Sequence, residues 1–133
     1  MQSRNFINFT AKGDERGWLI ALESLKEVPF VIHRVYYIYS TQNGVVRGKH
    51  AHRDLRQLAV CVHGSCRILM DNGSERWAVE LDRKDKGILI EPMVWHEMDS
   101  FSHDCVLMVM ASALYDERDY IRNYADFLLL SHR

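Results

Sequence analysis

Cysteine is scarce in this sequence, which has only Cys61, Cys66 and Cys105 among its 133 residues. An odd number of cysteines without paired spacing argues against the disulfide framework of a small secreted protein. Each of the three lies in an apolar run that resembles a strand. We therefore expect buried thiols and a protein of the reducing cytoplasm.

Hydrophobic runs long enough to cross a membrane are also missing. The longest apolar run, residues 105–114, has about half of the roughly 20 residues that a transmembrane helix needs. Residues 1–5 lack the apolar stretch of a secretory signal. The sequence therefore predicts a cytoplasmic protein without a membrane partner.

An excess of one charge is missing as well. Seventeen basic and eighteen acidic residues give a net charge of -1 at pH 7, which does not suit a protein that coats nucleic acid. A small anionic ligand held by a few arginines remains compatible with this balance. The content of 47% hydrophobic and 26% charged residues is typical of a globular protein, and the length predicts a single domain, residues 1–133.

Most of the sequence consists of short runs rich in Val, Ile, Leu, Tyr and Trp, separated by turn residues. This pattern is typical of an antiparallel sandwich or barrel. The predicted strands are residues 6–9, 18–22, 32–39, 49–51, 57–62, 66–70, 77–81, 87–90, 95–101 and 105–112. Ten short strands need two packed sheets or a closed barrel, so we predict an all-β fold over about residues 5–114.

The pattern changes after Tyr115, where apolar residues recur at helical spacing. Asp116 is placed to cap the start of a helix. The sequence therefore predicts one C-terminal α-helix at about residues 116–130.

Two histidines, His50 and His52, stand two residues apart and follow the pair Arg47-Gly48. Side chains alternate along a strand, so both imidazoles are expected on one face, about 7 Å apart along the backbone. Imidazoles exchange protons near neutral pH, and an arginine can hold an anionic group. The segment therefore predicts a site that moves protons on a small anionic ligand, unless the two histidines are solvated residues of an edge strand.

The segment from His50 to Gly64 resembles the first motif of the cupin barrels. It reads His50-x-His52, then Gln57 after four residues and Gly64 after six more, with Gln57 at a position where cupins normally have Glu. Gly87, Pro92 and His96 resemble the second cupin motif, although its central glycine is missing and the interval from Pro92 to His96 is one residue short.

Within the cupins, the sequence is similar to the WxcM-like nucleotide-sugar 3,4-ketoisomerases, which act on dTDP-4-keto-6-deoxyglucose. The resemblance runs over nearly the whole chain, and two of its elements also resemble those of deoxysugar epimerases. The matching segments are Asp14-x-Arg16-Gly17, residues 34–38, Arg47-Gly48-x-His50-Ala51-His52, residues 64–67, residues 94–98 and Asp116-Glu117-x-Asp119-Tyr120-Ile121-Arg122. The resemblance implies a small cupin (jelly-roll) barrel and an isomerase of deoxy amino sugar biosynthesis that uses neither metal nor cofactor.

Moving a ketone from C4 to C3 requires removal of the C3 proton, stabilisation of an enediolate and return of a proton to C4. By resemblance, His50 moves the proton between the carbons and His52 the proton between the oxygens, or the reverse. Tyr37 is the predicted hydrogen-bond donor to the developing oxyanion. Tyr36 then faces the other way, and an error of one residue in strand phase exchanges the two tyrosines.

Cations are expected to bind the diphosphate of the substrate, since an arginine fork matches phosphate oxygens. Arg47 is the first candidate, Arg16 the second and Arg67 the third. Arg16 would reach the site of a neighbouring subunit. The alternative for each arginine is that it is a solvated strand residue without a role in binding. Trp95 is either the aromatic platform for thymine or a core residue. His96 either lines the pocket or is a hydrogen-bonded residue of its wall.

Two other functions compete with the isomerase. One is a metal-dependent cupin, an oxygenase or a metal-binding module, with His50, His52 and His96 as ligands. The other is a sugar-nucleotide binder without catalysis, for which two proton carriers on one face would have no use. In every case the low net charge, an exposed apolar helix face and the resemblance predict a homodimer.

Overall fold

The structure is a computed structural model that describes residues 5–133, and β-strands form most of it. Short runs of β-branched and aromatic residues account for the strands, and Gly64 and Gly73, both with positive φ, lie in two of the tight turns between them. The strands are β1 (Phe6–Asn8), β2 (Lys12–Asp14), β3 (Gly17–Leu19), β4 (Arg34–Tyr39), β5 (Arg47–His52), β6 (Gln57–His63), β7 (Cys66–Asp71), β8 (Arg76–Leu81), β9 (Lys86–Ile90), β10 (Trp95–Asp99), β11 (Val106–Ala111) and β12 (Tyr120–Ile121).

Two antiparallel sheets of five strands form the body of the protein. One has the order β1-β9-β6-β11-β4 and the other the order β12-β5-β10-β7-β8, while β2 and β3 form a separate hairpin. Among residues 5–133, no hydrogen-bonded ladder joins the two large sheets into a ring. The predicted jelly-roll fold is confirmed, as two facing sheets rather than as a closed barrel.

The main core fills the space between the two sheets. It is built from alternating inward residues such as Ile68 and Met70 on β7 and Leu107 and Val109 on β11, all fully buried. Cys61, Cys66 and Cys105 are buried in this core with free thiols, which confirms their predicted burial.

The predicted helix over residues 116–130 is wrong in its first half. Asp116 caps only a 3₁₀ turn at Glu117–Asp119, and Asn123 caps the α-helix α1 (Tyr124–Ser131). Between them Tyr120 pairs with His52 and Ile121 with Ala51, so these two residues extend the second sheet as β12. Pairing with an exposed strand edge outweighs the local helical spacing at these positions. No helix among the residues that the structure describes is long and apolar enough to cross a membrane.

The N-terminal hairpin also differs from the prediction. The strand expected at residues 18–22 is Gly17–Leu19, and it pairs with the unpredicted strand Lys12–Asp14. Trp18 and Leu19 on this hairpin are mostly exposed. The hairpin therefore presents apolar side chains that residues 5–133 leave largely uncovered.

Candidate active site

Three histidines meet between the sheets. His50 and His52 lie on β5, and His96 on β10 is the direct partner of His50 across the antiparallel pair. The ring centroid of His50 lies 4.9 Å from that of His52 and 4.7 Å from that of His96. His52 and His96 are buried and His50 is half-buried, so all three side chains face inward as the strand alternation predicts.

A β-bulge brings Arg47 to the same face as the histidines. Along β10, His96 pairs with His50 and the next residue, Glu97, pairs with Gly48, so that Lys49 is an extra residue in β5. Gly48 and Lys49 both have positive φ, at 86° and 59°. Arg47 and His50 are three positions apart, and such residues point to opposite faces of a regular strand. The extra residue between them brings both side chains to the same face. Arg47 consequently lies opposite Met98 and lines one cavity with His50.

Each of the three imidazoles has its Nδ1 atom next to an oxygen acceptor. Nδ1 of His50 donates to the carbonyl of Gly48 at 3.0 Å, and Nδ1 of His96 to the carbonyl of Val94 at 3.2 Å. Nδ1 of His52 donates to Oδ2 of Asp119 at 2.9 Å. Because carbonyl and carboxylate oxygens only accept, the proton of each neutral ring is on Nδ1, and Nε2 keeps its lone pair.

Burial keeps the imidazoles neutral. Together with the nearby His52, it lowers the pKa of His50 from 6.5 to about 4. Burial also lowers the pKa of His52, although Asp119 opposes this effect, and it lowers the pKa of His96 to about 3. At neutral pH the three rings are therefore ready to accept protons.

Asp119 and Tyr120 belong to the site and were not predicted as site residues. The Tyr120 ring lies 4.9 Å from the His50 ring and 4.4 Å from the His52 ring, between centroids. The matching segment at residues 116–122 carries both residues, but the predicted helix obscured their role. Only the pairing of β12 with β5 brings Asp119 and Tyr120 to the histidines.

The tyrosine prediction is reversed. Tyr37 is 63% exposed on the outer face of β4, whereas Tyr36 faces inward and lines the cavity beside His50. The hydroxyl of Tyr36 donates to Oε1 of Gln57 at 2.7 Å, and burial raises the pKa of Tyr36 to about 12. The predicted phase of β4 was wrong by one residue, so the inward hydroxyl donor is Tyr36 and not Tyr37.

Two of the three predicted arginines lie away from the histidines within this chain. Arg16 projects from the β2–β3 hairpin and pairs with Asp14 at 2.7 Å, and Arg67 pairs with Asp99 at 2.7 Å on the outer face of the second sheet. Arg47 lines the histidine cavity as predicted.

Arg34 also lines the histidine cavity and was missed. Burial alternates along β4 from Arg34 to Tyr39, and Arg34 is on the inward face together with Tyr36. Arg34 borders both the cavity of about 210 Å³ next to His50 and a second one of about 180 Å³ next to His52. Its buried Nε atom has no hydrogen-bond partner among residues 5–133, which leaves a cationic donor for a ligand.

Trp95 is a core residue and not an open aromatic platform. It is 4% exposed, its ring contacts those of Tyr124 and Phe127, and its indole N–H donates to Glu97 at 2.9 Å. Its neighbour His96 points to the opposite side of β10. It lines the cavity and is also hydrogen-bonded to the carbonyl of Val94, so both alternatives for this residue hold.

The three histidines could also hold a metal ion. Their ligand nitrogens lie within 4.8 Å of one another, and anchored Nδ1 atoms are common in histidine metal ligands. The remaining cupin position, Gln57, has its Oε1 engaged by Tyr36. The same arrangement also suits acid–base chemistry. His50, His96, the Tyr36 hydroxyl, Arg34 and Arg47 line one cavity, and His52 lines the adjacent cavity that Arg34 also borders.

Comparisons with known proteins agree with this arrangement. The family described as "FdtA: WxcM-like, C-terminal" matches residues 2–132. A TDP-4-oxo-6-deoxy-alpha-D-glucose-3,4-oxoisomerase of Aneurinibacillus thermoaerophilus is 50% identical over 91% of this chain and 87% of its own length. A 3,4-ketoisomerase from Helicobacter canadensis has a TM-score of 0.93 and 44% identity over 96% of each chain.

A third relative has been solved with a sugar nucleotide. It is a mutant of the 3,4-ketoisomerase QdtA from Thermoanaerobacterium thermosaccharolyticum in complex with TDP-4-keto-6-deoxyglucose. Its TM-score is 0.93, with 38% identity over 96% of this chain and 94% of that chain. This chain belongs to the FdtA/WxcM-like family of cupin-type proteins.

Proposed function

We propose that this protein is a sugar-nucleotide 3,4-ketoisomerase that converts TDP-4-keto-6-deoxyglucose into a TDP-3-keto-6-deoxyhexose for deoxysugar biosynthesis. The observation that carries the proposal is the pair of neutral imidazoles, His50 and His52, each with Nδ1 anchored and Nε2 left to take a proton. Family membership and 50% identity to an oxoisomerase support the same reaction.

In this mechanism Nε2 of His50 takes the proton from C3, and the electron pair of the C–H bond moves to form an enediolate. The same imidazolium returns the proton to C4. His52 carries a proton from the C3 hydroxyl to the C4 oxygen, so that the ketone moves by one carbon without net loss of protons or electrons. When substrate is bound, the Tyr36 hydroxyl turns from Oε1 of Gln57, its partner in this structure, and donates to the developing oxyanion, a contribution on the order of 3 kcal/mol for an oriented donor.

The charged groups of the cavity suit the diphosphate of the substrate. Arg47 and Arg34 both line the histidine cavity, and Arg34 has an unpartnered Nε. Guanidinium forks match phosphate oxygens in both shape and charge. We place the diphosphate near these two arginines and the sugar ring against the histidines.

The experiment that tests the proposal uses His50→Asn and His52→Asn, with His103→Asn in an exposed turn as the matched control. Both site variants should fold and lose turnover, whereas the control keeps it. NMR of the product formed in deuterated water should show deuterium at C4, the carbon that receives the proton from the His50 imidazolium after exchange with solvent. Full activity in both site variants would refute the assignment, and TDP binding without conversion of the sugar would support the non-catalytic binder.

The metal-dependent alternative rests on one observation, the three imidazole nitrogens within 4.8 Å of one another. Elemental analysis of protein purified without added metal separates the two functions. Stoichiometric iron, nickel or zinc required for turnover would favour the metal-dependent cupin. For the isomerase that we propose, we expect turnover to be unchanged after extensive treatment of the protein with a chelator.

We also propose that the single-domain chain forms a homodimer in the cytoplasm. Strand β4 is the edge of its sheet, and Val35, Tyr37 and Tyr39 are more than half exposed on its outer face. Trp18 and Leu19 of the hairpin are exposed as well. A second copy that covers these side chains would remove apolar surface from water, and the neighbouring hairpin could then bring Arg16 to a partner's site.

Light scattering tests this assembly. A dimer is expected for the wild type, and Tyr37→Arg should shift it towards the monomer. If the wild type is a monomer, the proposed role of Arg16 at a partner's site fails with the dimer.

A further inference from the structure

We propose that Cys61, Cys66 and Cys105 form a binding site for a soft monovalent cation, Cu⁺, separate from the histidine site. The three thiols come from β6, the start of β7 and the residue before β11. Their sulfur atoms lie within 4.8 Å of one another, and Sγ of Cys61 is 3.5 Å from Sγ of Cys105. Three strands thus converge on one cluster of sulfur ligands.

The spacing suits coordination by three sulfurs. With a metal–sulfur bond of about 2.3 Å, three ligands in a plane around one ion lie about 4 Å apart. The sulfur atoms of Cys61 and Cys105, now 3.5 Å apart, need to separate by only about 0.5 Å to reach this distance. Side-chain rotation within the cluster therefore completes the site.

The number and type of ligands favour Cu⁺ over Zn²⁺. Within residues 5–133 no imidazole or carboxylate joins the three sulfur atoms in this cluster. Zinc in structural sites almost always takes four ligands, whereas thiolates select the softer Cu⁺. Three sulfurs and no fourth ligand suit a cation that accepts three-coordination.

A cation bound at the cluster would displace the protons of the thiols, since thiols are deprotonated on coordination. The Cys61 thiol donates to the carbonyl of His63 at 3.1 Å, and coordination would replace this hydrogen bond.

Two turns cover the cluster and offer an entry. A Cβ at Gly64 in the β6–β7 turn would lie 2.8 Å from Cα of Cys105, so this turn packs closely against the residue that carries the third thiol. Hydrogen bonds of 2.9 Å between Ser65 and Ser102 and a His63–Asp104 contact of 3.4 Å join the two turns. Separation of these exposed turns opens the cluster without disturbing either sheet.

The cluster lies at the opposite end of β7 from the histidine site. Cys66 is the first residue of β7, whereas Met70 pairs with His96 four positions further along. Occupation of the cluster should therefore leave isomerase turnover unchanged. It would link β6, β7 and the start of β11 and so stabilise this end of the fold.

The experiment is an anaerobic titration of the whole protein with Cu⁺ in competition with a coloured Cu⁺ chelator. We expect one equivalent to bind, with sulfur-to-copper charge-transfer absorption, three sulfur neighbours at about 2.3 Å by X-ray absorption and a higher Tm. Cys66→Ser and, separately, Cys105→Ala should weaken binding by about 100-fold or more, because loss of even an outer-shell partner of a metal often costs 10–100-fold.

His52→Asn is the control for metal bound at the histidines, and it should leave Cu⁺ affinity unchanged. Turnover of the Cys66→Ser variant reports whether the fold survives. The proposal is overturned if either cysteine variant that folds binds Cu⁺ as tightly as the wild type. It is also overturned if nitrogen neighbours dominate the X-ray absorption spectrum of the copper. Displacement of the bound Cu⁺ by an equal concentration of Zn²⁺ would overturn it as well.

Discussion

Nδ1 of His52 lies 2.9 Å from Oδ2 of Asp119, although the two residues are 67 positions apart in the chain. The other oxygen of this carboxylate accepts the backbone N–H of Asp54 at 2.8 Å, so the Asp119 side chain is fixed from two sides. It fixes the orientation and the tautomer of the His52 ring in turn. Asp119 is therefore a positioning residue for one of the two proposed proton carriers.

Replacement of Asp119 by Asn should lower kcat by about 100-fold or more, because an amide can donate to Nδ1 and favour the wrong tautomer. KM for the sugar nucleotide should change little. Asp119 raises the pKa of His52, so its loss should move the acidic limb of the pH profile to lower pH. Asp126→Asn on the exposed side of α1 is the control, and a pH profile identical to the wild type would contradict this role.

Tyr36→Phe and Tyr37→Phe form a matched pair on adjacent residues. Tyr36 lines the cavity and Tyr37 is exposed on the other face. Loss of a preorganised donor commonly costs 10²–10³-fold, so we expect Tyr36→Phe to reduce kcat by about 100-fold. Tyr37→Phe should keep the activity of the wild type. Steady-state kinetics of both variants decide the question, and equal losses would remove Tyr36 from the mechanism.

Arg47→Ala and Arg67→Ala separate a cavity arginine from a surface one. Arg47 has the histidine cavity beside it, whereas Arg67 pairs with Asp99 on an outer face. We expect Arg47→Ala to raise KM by about 10-fold or more, since a charge-assisted hydrogen bond contributes roughly 1.5–3 kcal/mol. Arg67→Ala should leave KM unchanged and change the stability little, because surface ion pairs contribute little. A larger effect on KM from Arg67 than from Arg47 would reverse the assignment.

The buried histidines should make the protein less stable in mild acid. The pKa of His96 is about 3 in the folded state and 6.5 as its ordinary value, so below pH 6.5 the unfolded chain takes up a proton that the folded chain does not. Stability is fully present above that pH and falls as the pH drops towards the folded pKa. Each such group contributes about 1.4 kcal/mol per pH unit.

Urea denaturation at several values between about pH 7 and pH 5 measures this slope, in a range above most carboxyl titrations. In His96→Gln the free energy of unfolding should depend less steeply on pH, by an amount that corresponds to about one bound proton. His103→Gln, at an exposed turn, should have the slope of the wild type. An unchanged slope in the His96 variant would mean that His96 takes up its proton in the folded state as well.

Sequence reasoning found the residues whose position follows from local alternation. His50 and His52 are two apart on one strand, and their shared inward face is confirmed. The family resemblance is confirmed by a match over residues 2–132. The prediction for Tyr37 was wrong because a tyrosine pair within an otherwise apolar strand gives no signal of strand phase.

The remaining differences depend on contacts between distant segments. Trp95 packs on α1, and the sequence alone did not distinguish this burial from an open platform. Asp119 reaches His52 only because residues 120–121 pair with β5 rather than continue a helix. Local helical spacing was the stronger signal in the sequence, whereas the strand edge was visible only in the folded chain.

The extra residue in β5 has a consequence for any redesign of this fold. A Cβ at Gly48 would lie 3.0 Å from the carbonyl oxygen of His96, so the two strands meet closely at this point. If β5 ran as a regular strand with Lys49 retained, Arg47 would turn outward while His50 stayed inside. A transplant of the segment Arg47–His52 into another sandwich must therefore keep the Gly48-Lys49 irregularity, because at this spacing the anion-binding side chain and the proton carriers share a wall only through it.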